Sequence, residues 1–224
     1  MNRRNLIKKG LVAAGGILAL NQASAQMVPF CKNTLTPEQP KGPFYPVVDQ
    51  LDKDSDLVVI AGQSRSALGE VILIQGKVTD QFCQPVVGAL VEIWQACESG
   101  RYNHPSDTNT AKLDPNFQYW GKAVTDQNGS YIFRTILPGA YPAREDWIRP
   151  PHIHFKVSQR GYKELITQMF FSGEKLNQQD LIFQDLSKEE QQLVVVEFKK
   201  TNSQPHPVGN FDIQLAKMER KQKI

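Results

Sequence analysis

The chain contains 224 residues, of which 26 are Lys or Arg and 23 are Asp or Glu, so its formal net charge is +3 at pH 7. Four of the basic residues lie within the first ten positions, and the remaining chain therefore holds 22 basic and 23 acidic residues. Because nucleic-acid binding depends on clustered positive charge, this balance excludes a nucleic-acid partner recruited by net basicity.

Residues 1–25 have the organisation of an export signal peptide. Basic residues precede the apolar run 11–20, which is too short to span a bilayer, and Ala23-Ser24-Ala25 is a small-x-small cleavage site. The Arg3-Arg4 pair predicts the twin-arginine route, and an ordinary secretory signal is the alternative. We therefore expect an exported protein, periplasmic or extracellular, with no stable membrane insertion once the signal is cleaved.

Residues 26–68 form a predicted arm with little periodicity. Five prolines within it exclude long helices, because proline lacks the backbone donor that a helix interior needs. The arm contains the apolar loop Gly42-Pro43-Phe44-Tyr45-Pro46. We expect this loop to pack into the body of the protein or against a partner.

From residue 69 to residue 217, short apolar runs alternate with turn signals. Asn128-Gly129 predicts the turn of a hairpin, and alternation places Leu90, Glu92 and Trp94 on one face of their strand. Many short strands with almost no helix predict an all-β fold, an antiparallel β-sandwich of one domain. The predicted strands cover residues 71–78, 89–95, 122–125, 130–135, 152–158, 165–171, 194–198 and 210–215.

One short helix is predicted over residues 187–193. Ser187 and Glu190 have the spacing of a capping box, in which each side chain accepts a hydrogen bond from the other residue's backbone. Residues 218–224 form a basic tail that we expect to be frayed. The predicted organisation is thus a signal, an irregular arm, a sandwich over 69–217 with one short helix, and a tail.

Two of the four histidines, His152 and His154, stand two residues apart in a predicted strand. Residues so spaced point to the same face, roughly 6.5–7 Å apart at Cα, so both imidazoles can converge on one metal ion. A structural zinc site is poorly supported, because no Cys-x-x-Cys or closely spaced carboxylate accompanies them. The alternative is two solvent-facing histidines, with Arg149 in a weak surface ion pair.

Two tyrosines lie in loops where they can complete such a site. Tyr102 follows Gly100-Arg101 after a predicted strand, and Tyr141 lies in a turn between Pro138-Gly139 and Pro142. A phenol has a pKa of about 10, so a neutral protein ionises it only with help such as a bound hard cation. Non-haem Fe(III) is the natural candidate. The alternative is two core tyrosines with hydrogen-bonded hydroxyl groups.

An ordered set of motifs resembles the intradiol ring-cleavage dioxygenases, particularly the protocatechuate-type chains. The resemblance covers roughly residues 42–171, and its order along the chain makes it more specific than any single motif. The matching stretches are Gly42-Pro43-Phe44-Tyr45-Pro46, Val91-Glu92-Ile93-Trp94-Gln95-Ala96, Gly100-Arg101-Tyr102, Leu113-Asp114-Pro115-Asn116-Phe117, Thr125-Asp126, and residues 131–141, 149–155 and 165–171.

The resemblance implies a mononuclear non-haem Fe(III) held by two tyrosinates, two histidines and a hydroxide. Carried over by motif, the metal ligands are Tyr102, Tyr141, His152 and His154. The family places an arginine shortly before the first histidine, here Arg149, and a glutamine in the following strand, here Gln168. It also implies that Tyr141 is the ligand that leaves when substrate binds, so Arg149, Tyr141 and Gln168 are the expected catalytic residues.

The expected function is cleavage of a catechol-type aromatic with O2 to a cis,cis-muconate-type product. Two departures from the family leave the substrate open: the helical N-terminal dimer region is missing, and Ala143 stands where many protocatechuate chains have Trp. An oligomer is possible. The expected sandwich is transthyretin-like (prealbumin-like). On that same fold, the first alternative is a non-catalytic binding module, and a metal-dependent hydrolase is a further one.

Three cysteines, Cys31, Cys83 and Cys97, cannot all pair with one another. An oxidising compartment favours one disulfide plus one free thiol. We prefer the pair Cys31–Cys83, because Cys97 lies beside a candidate ligand. Three free thiols are the alternative.

Overall fold

The computed structural model describes residues 34–50, 52–200, 202 and 204–218. The predicted signal 1–25 and residues 219–224 of the predicted tail lie outside them. Over these ranges the chain forms two five-stranded sheets that pack face to face around the main apolar core. Among the helices of these ranges, none is long and apolar enough to cross a membrane.

The regular elements account for all the predicted strands and add shorter ones. A 3-10 helix (Lys175–Gln179) precedes the two α-helices, α1 (Leu181–Gln184) and α2 (Lys188–Val194). The strands are β1 (Val71–Asp80), β2 (Leu90–Trp94), β3 (Trp120–Val124), β4 (Ser130–Ile136), β5 (Tyr141–Arg144), β6 (Trp147–Arg149), β7 (His152–Ser158), β8 (Leu165–Phe171), β9 (Val195–Val196), β10 (Phe198–Lys199), β11 (Val208–Asn210) and β12 (Ile213–Leu215).

The two sheets are mixed, so the expectation of a purely antiparallel sandwich is wrong. The first sheet has the order β10-β11-β1-β12, with β4 also paired to β1, and the second has the order β3-β2-β7-β8-β9. β1 pairs with β11 and β12 in parallel, and β8 pairs with β9 in parallel. The chain between β8 and β9 passes through the helices, and such a long connection is what parallel neighbours require.

The second sheet has one face in the core and one face turned away from it. Along β7, Ile153, Phe155 and Val157 are fully buried in the main core. Register pairs Trp94 of β2 and Gln168 of β8 with the same residue, His154. Directly opposite residues of antiparallel strands share a face, so these three side chains project together from the side away from the core. The predicted common face of Leu90, Glu92 and Trp94 is consistent with this register.

The capping box of the predicted helix is confirmed, whereas the expectation of a single helix is wrong. Ser187 accepts a hydrogen bond from the Glu190 backbone, and the Glu190 side chain accepts one from the Ser187 backbone. Val194 ends α2 instead of beginning a strand. The 3-10 helix and α1 were missed because each has only four or five residues and starts at a capping carboxylate, not at a periodic apolar pattern.

Three other sequence expectations require correction. The turn at Asn128-Gly129 forms, but its flanking strands β3 and β4 enter different sheets, so it is not a hairpin. The predicted strand 210–215 is divided between β11 and β12, because β1 changes its parallel partner there. β5 and β6, a separate two-stranded hairpin, were not predicted.

The arm packs against the body, as expected for its apolar loop. Leu57 and Val58 are fully buried in the main core. Phe44 and Tyr45 pack against a second cluster that includes Trp94 and Trp120. Phe44 and Tyr45 thereby cover the outer face of the second sheet.

The cysteines divide into one disulfide-bonded and one free residue among those described. Cys83 is disulfide-bonded, and Cys97 is a buried free thiol. The preferred partner in the sequence interpretation, Cys31, lies outside the described residues. The alternative of three free thiols is therefore wrong.

Replacing Gly76 with alanine should destabilise the fold strongly. A Cβ at this position would lie 1.9 Å from the carbonyl oxygen of Phe211, where β1 changes partner. The backbone of one of the two segments must move to relieve this clash. We therefore expect the free energy of unfolding, measured by urea denaturation, to fall by about 3 kcal/mol or more. The matched control is Gly173→Ala, where no described residue beyond the two chain neighbours lies within 4 Å of the added Cβ and only the positive φ of 80° opposes the change, at about 1–2 kcal/mol. Equal losses in both variants would contradict the prediction.

Candidate active site

The four side chains that the sequence nominated as metal ligands lie together in one buried cluster. Tyr102 and Tyr141 are 3% and 6% exposed, and His152 and His154 are each 2% exposed. The ring centroids are 5.5 Å apart between the two tyrosines, 5.7 Å between Tyr141 and His152, and 4.9 Å between the two histidines. The ring centroids of Tyr102 and His154 are 6.3 Å apart, so each of the four rings has two neighbours within the cluster. The solvent-facing alternative for the histidines is therefore wrong.

Different elements deliver these side chains. β7 projects both histidines from the outer face of the second sheet, and β5 begins at Tyr141, directly opposite Arg149 of β6. Tyr102 lies in the loop after β2, where its backbone N–H donates to the Asp107 carboxylate at 2.6 Å. The site thus combines two histidines of one strand with one phenol from a loop, Tyr102, and one phenol from the first residue of a hairpin strand, Tyr141, which the sequence had placed in a turn.

The hydrogen bonding of His152 fixes which of its nitrogens faces the cluster. Nδ1 lies 2.7 Å from the carbonyl oxygen of Pro150. A carbonyl can only accept, so Nδ1 carries the proton and Nε2 keeps its lone pair. Nε2 lies 3.5 Å from the Tyr102 hydroxyl. His152 is consequently oriented as a ligating imidazole usually is, with its other nitrogen held by an acceptor.

His154 is held by stacking and not by hydrogen bonds. Its ring lies parallel to Trp94, with centroids 4.7 Å apart and an interplanar angle of 10°. Its Nδ1 is buried and has no hydrogen-bond partner among the residues that the structure describes. Burial of an unpartnered imidazole nitrogen is unfavourable for a purely structural residue. The environment of His154 therefore fits a residue whose role involves a group beyond the chain.

Burial sets the protonation of the four side chains. It lowers the pKa of both His152 and His154 well below the usual value, and the positive charge of Arg149 acts in the same direction. Burial raises the pKa of Tyr102 well above 10, with Tyr141 adding to the effect. It also raises the pKa of Tyr141, although Arg149 opposes the shift. The chain alone thus holds neutral imidazoles, as metal binding requires, and phenols that ionise only beside a cation.

The donor set fits Fe(III). Among the described residues, no three His, Cys, Asp or Glu side chains gather to hold a metal ion, so any metal held here depends on the two phenols. Anionic phenolate oxygen suits a hard, highly charged cation, and imidazole suits iron.

Arg149 is buried beside the cluster and is gripped from two sides. Its Nε donates to Asp180 Oδ2 at 2.6 Å, and its Nη2 donates to Gln168 Oε1 at 2.7 Å. Gln168 in turn donates through Nε2 to the carbonyl oxygen of Pro40 at 2.8 Å. Arg149 is 4% exposed, so the alternative of a surface ion pair is wrong.

Sequence interpretation missed Asp180 and the contacts of the arm. Asp180 precedes the apolar run of α1 in the position of an N-cap, a signal that indicates a helix start but not a contact with Arg149. Gln39 donates to Thr167 and to the Gln168 carbonyl, and Phe44 lies 4.7 Å from Tyr102 and 6.0 Å from Tyr141 between ring centroids. The arm therefore forms one wall of the site.

Replacing Gly42 with alanine should disturb the site while leaving the fold intact. Gly42 has a φ of +72°, and a Cβ there would lie 3.3 Å from Cε1 of His154. Displacement of the arm or the imidazole should lower turnover by about tenfold, because small misplacements in a site have large effects. The control is Gly62→Ala, which has the same kind of backbone strain at φ +82° but, in the described part of the chain, no atom within 4 Å of the added Cβ apart from its chain neighbours. Turnover measurements in which both variants match the parent would contradict this expectation.

The amino-acid sequence matches a known protein family and several characterised relatives. Residues 41–217 match the family described as Dioxygenase. The protocatechuate 3,4-dioxygenase beta chain of Burkholderia cepacia is 40% identical over 179 residues, covering 77% of this chain and 76% of the relative. Hydroxyquinol 1,2-dioxygenase of Rhizobium sp. (strain MTP-10005) is 31% identical over 128 residues, covering 51% of this chain and 42% of the relative.

Solved structures agree in fold. The dioxygenase domain of a carbohydrate-binding fusion protein from Streptomyces sp. SirexAA-E has a TM-score of 0.61 at 28% identity, covering 83% of this chain and all of that one. Catechol 1,2-dioxygenase from Pseudomonas arvilla C-1 has a TM-score of 0.64 at 24% identity, covering 83% and 63%, which shows the shared fold alone. The chain spans about three quarters of its protocatechuate relative but less than half of its hydroxyquinol relative.

The fold and these relatives define an oxidoreductase of the dioxygenase class. Within that class, the chain belongs to the intradiol ring-cleavage dioxygenase family.

Proposed function

We propose that the protein is a non-haem Fe(III) intradiol dioxygenase that cleaves a catechol-type aromatic with O2 to a cis,cis-muconate-type product. The buried cluster of two phenols and two imidazoles carries this proposal. Family membership supports the reaction class. The particular catechol is left to experiment, since the relatives are named for protocatechuate, hydroxyquinol and catechol.

The four clustered side chains are the proposed iron ligands: Tyr102, Tyr141, His152 and His154. When bound, Fe(III) supplies the positive charge that favours phenolate and catecholate and the redox partner that couples an electron-rich ring to O2. Nε2 of His152 is the ligating nitrogen of that residue, because Nδ1 is committed to Pro150.

Tyr141 is the proposed acceptor of a substrate proton. A catechol loses two hydroxyl protons to chelate a metal: Tyr141 takes one, and the hydroxide that the family resemblance implies takes the other and leaves as water. A buried phenolate is strongly basic because burial raises the pKa of Tyr141. Tyr102 is anchored through its backbone to Asp107, whereas Tyr141 begins a short two-stranded hairpin. This difference supports the assignment of Tyr141, and not Tyr102, as the phenol that takes the proton at Oη and moves aside.

Arg149 is the proposed electrostatic catalyst. Its guanidinium stays protonated at any working pH, and its donors form a rigid planar fork. In a buried site, such fixed donors stabilise negative charge that develops on the substrate without reorganising. Gln168 orients the fork through Oε1 and is itself fixed by Pro40 of the arm.

Aromatic side chains exclude water from the site. Phe44 lies against both phenols, and Tyr45 meets Trp94 edge to face at 5.0 Å. These rings form an apolar surface suited to an aromatic substrate. Exclusion of water strengthens the interaction of Arg149 with developing charge.

Export to the periplasm or beyond is also proposed, with the twin-arginine route as its path. Residues 1–25 have the organisation of an export signal, and the disulfide at Cys83 fits an oxidising compartment. Fractionation of cells that express the full chain tests this: retention of the uncleaved protein in the cytoplasm would contradict export.

Oxygen uptake by the iron-loaded protein tests the proposed function. The protein should be coloured by phenolate-to-Fe(III) charge transfer, and it should consume O2 with at least one of catechol, protocatechuate, hydroxyquinol and chlorocatechol. Mass spectrometry with labelled O2 should find both oxygen atoms in a ring-opened diacid. A colourless protein that consumes no O2 would favour the transthyretin-like binding module, which family membership does not favour, and activity with zinc alone would favour a hydrolase.

A further inference from the structure

The Asp180 carboxylate is fully buried and divides its two oxygens between two tasks. Oδ2 accepts from Nε of Arg149 at 2.6 Å, and Oδ1 accepts from the backbone N–H of Phe183 at 2.8 Å, which caps α1. Arg149 therefore has one edge of its guanidinium tied to a helix start. Its Nη2 donates to Gln168, from the neighbouring sheet, and the guanidinium lies over the Trp147 ring at 5.4 Å.

The segment that carries Asp180 is itself firmly attached to the second sheet. Asn177 donates through Nδ2 to the carbonyl oxygen of Phe171 at 2.9 Å, and Gln184 donates to the carbonyl oxygen of Asn177 at 3.1 Å. Phe183 packs edge to face on Phe170 of β8, with ring centroids 4.9 Å apart. The 3-10 helix and α1 thus hold Asp180 at a fixed distance from the strand that presents Gln168.

Stability alone does not account for this arrangement. Removing two charges from water is unfavourable, and a buried ion pair contributes little net stability compared with apolar residues of the same volume. What the pair supplies is geometry. With Nε tied to Asp180 and Nη2 tied to Gln168, the plane of the guanidinium is fixed by two bonds from two separate elements.

We propose that Asp180 is a positioning residue of the dioxygenase reaction, which acts by holding the guanidinium of Arg149 in one orientation beside the cluster of Tyr102, Tyr141, His152 and His154. Asp180 does not touch the reacting atoms. The expected effect on turnover rests on the proposed function. The expected effect on the orientation of Arg149 rests only on the hydrogen bonds of Arg149.

Asp180→Asn tests the proposal with almost no change in volume. The single amide oxygen of the new asparagine can accept a hydrogen bond from either Phe183 or Arg149, but not from both. At the other position the amide N–H2 group, itself a donor, faces another N–H donor, so that hydrogen bond is lost. We expect kcat to fall by about tenfold to a hundredfold, while KM changes less and iron content stays at the parental level. Unchanged kcat would overturn the proposal.

A readout independent of turnover follows Arg149 itself. The Nε–H signal of Arg149 in nitrogen-15 NMR, assigned by its loss in Arg149→Lys, should be protected from exchange in the parent and should exchange faster in Asp180→Asn. This measurement stands even if the protein consumes no O2 with any catechol, so failure of the proposed function and failure of the positioning role are distinguishable. Equal protection in both proteins would overturn the positioning role.

Two controls separate positioning from loss of a helix cap. Ser187→Ala removes the N-cap of the neighbouring helix α2. The Ser187 side chain accepts a hydrogen bond from the Glu190 backbone N–H at 3.2 Å and does not contact Arg149. This variant should lower the melting temperature but leave kcat and the Arg149 signal unchanged; a matching loss of kcat would overturn the proposal.

In an Arg149→Met background, Asp180→Asn should change the remaining single-turnover rate by less than about twofold, because the residue that it holds is gone. A full additional loss would show that Asp180 acts by another path.

Discussion

His154→Ala is expected to lose most of the bound iron. Its imidazole is one of four clustered donors, and loss of one strong ligand weakens metal binding far more than loss of a supporting contact. Iron per chain after gel filtration, measured by elemental analysis, should fall to a small fraction of the parental value. The charge-transfer colour should fall in parallel.

A second substitution at the same position separates ligation from packing. His154 stacks on Trp94, so the alanine variant also removes ring contact and leaves a cavity. His154→Phe restores an aromatic face against Trp94 but has no nitrogen. If ligation is the cause, the phenylalanine variant should also lose iron, although its melting temperature should lie closer to that of the parent.

The matched control for these variants is His206→Ala. His206 lies next to Pro207, whose carbonyl oxygen accepts a hydrogen bond from Leu73 of β1 in the other sheet. This variant should keep its iron and its colour. Full iron occupancy in His154→Ala would contradict the ligand set.

The sequence predicted the part of the site that depends on local periodicity. His152 and His154 share a face because strand alternation requires it, and the same rule places Gln168 and Trp94 beside them once the strands are paired. The two tyrosines are different. Tyr102 lies in the loop after β2, and Tyr141 begins β5 more than thirty residues later along the chain. No periodic pattern predicts that two such distant segments meet, so local signals made the two tyrosines candidates, and the resemblance to a family assigned them to one site.

Contacts between distant segments were beyond the reach of local signals. The link from Pro40 through Gln168 to Arg149 and Asp180 joins the arm, β8, β6 and a helix start. Each residue has an ordinary local interpretation, and Asp180 in particular is a common helix cap. The mixed sheets were missed for a similar reason, because strand direction is decided by the long connection between β8 and β9 and not by either strand.

The site lies on the outer face of the second sheet, so its burial depends on the segments that cover this face. An open sheet face exposes its side chains to water, and the histidines of β7 would then titrate and be hydrated. The arm covers one side with Phe44 and Tyr45, and α1 and α2 cover the other by packing on Phe170. The buried and neutral state of the imidazoles therefore depends on both segments.

Arg149→Lys is expected to lower kcat by about a hundredfold while the fold and the iron are retained. Lysine keeps the positive charge, but its ammonium is a compact point charge and lacks the planar fork that reaches Asp180 and Gln168 together. Loss of one preorganised donor in a buried site commonly has an effect of this size. Steady-state kinetics, iron per chain and a urea unfolding curve would be measured on the same preparation.

Comparison with Arg149→Met shows whether charge or geometry is decisive. Methionine leaves Asp180 as a buried carboxylate without its cation, which should destabilise the fold by about 3–5 kcal/mol, whereas lysine can still neutralise it. If charge alone supported catalysis, the lysine variant would retain turnover within about twofold of the parent, and the proposed role of the fork would be wrong. If geometry is decisive, the lysine variant should lose most of the parental turnover, the methionine variant should be slower still because it also lacks the charge, and only the methionine variant should unfold early. A large kinetic loss in both variants with unequal stability is the result we expect, because the reaction needs both the charge and its fixed direction, whereas the fold needs only the charge.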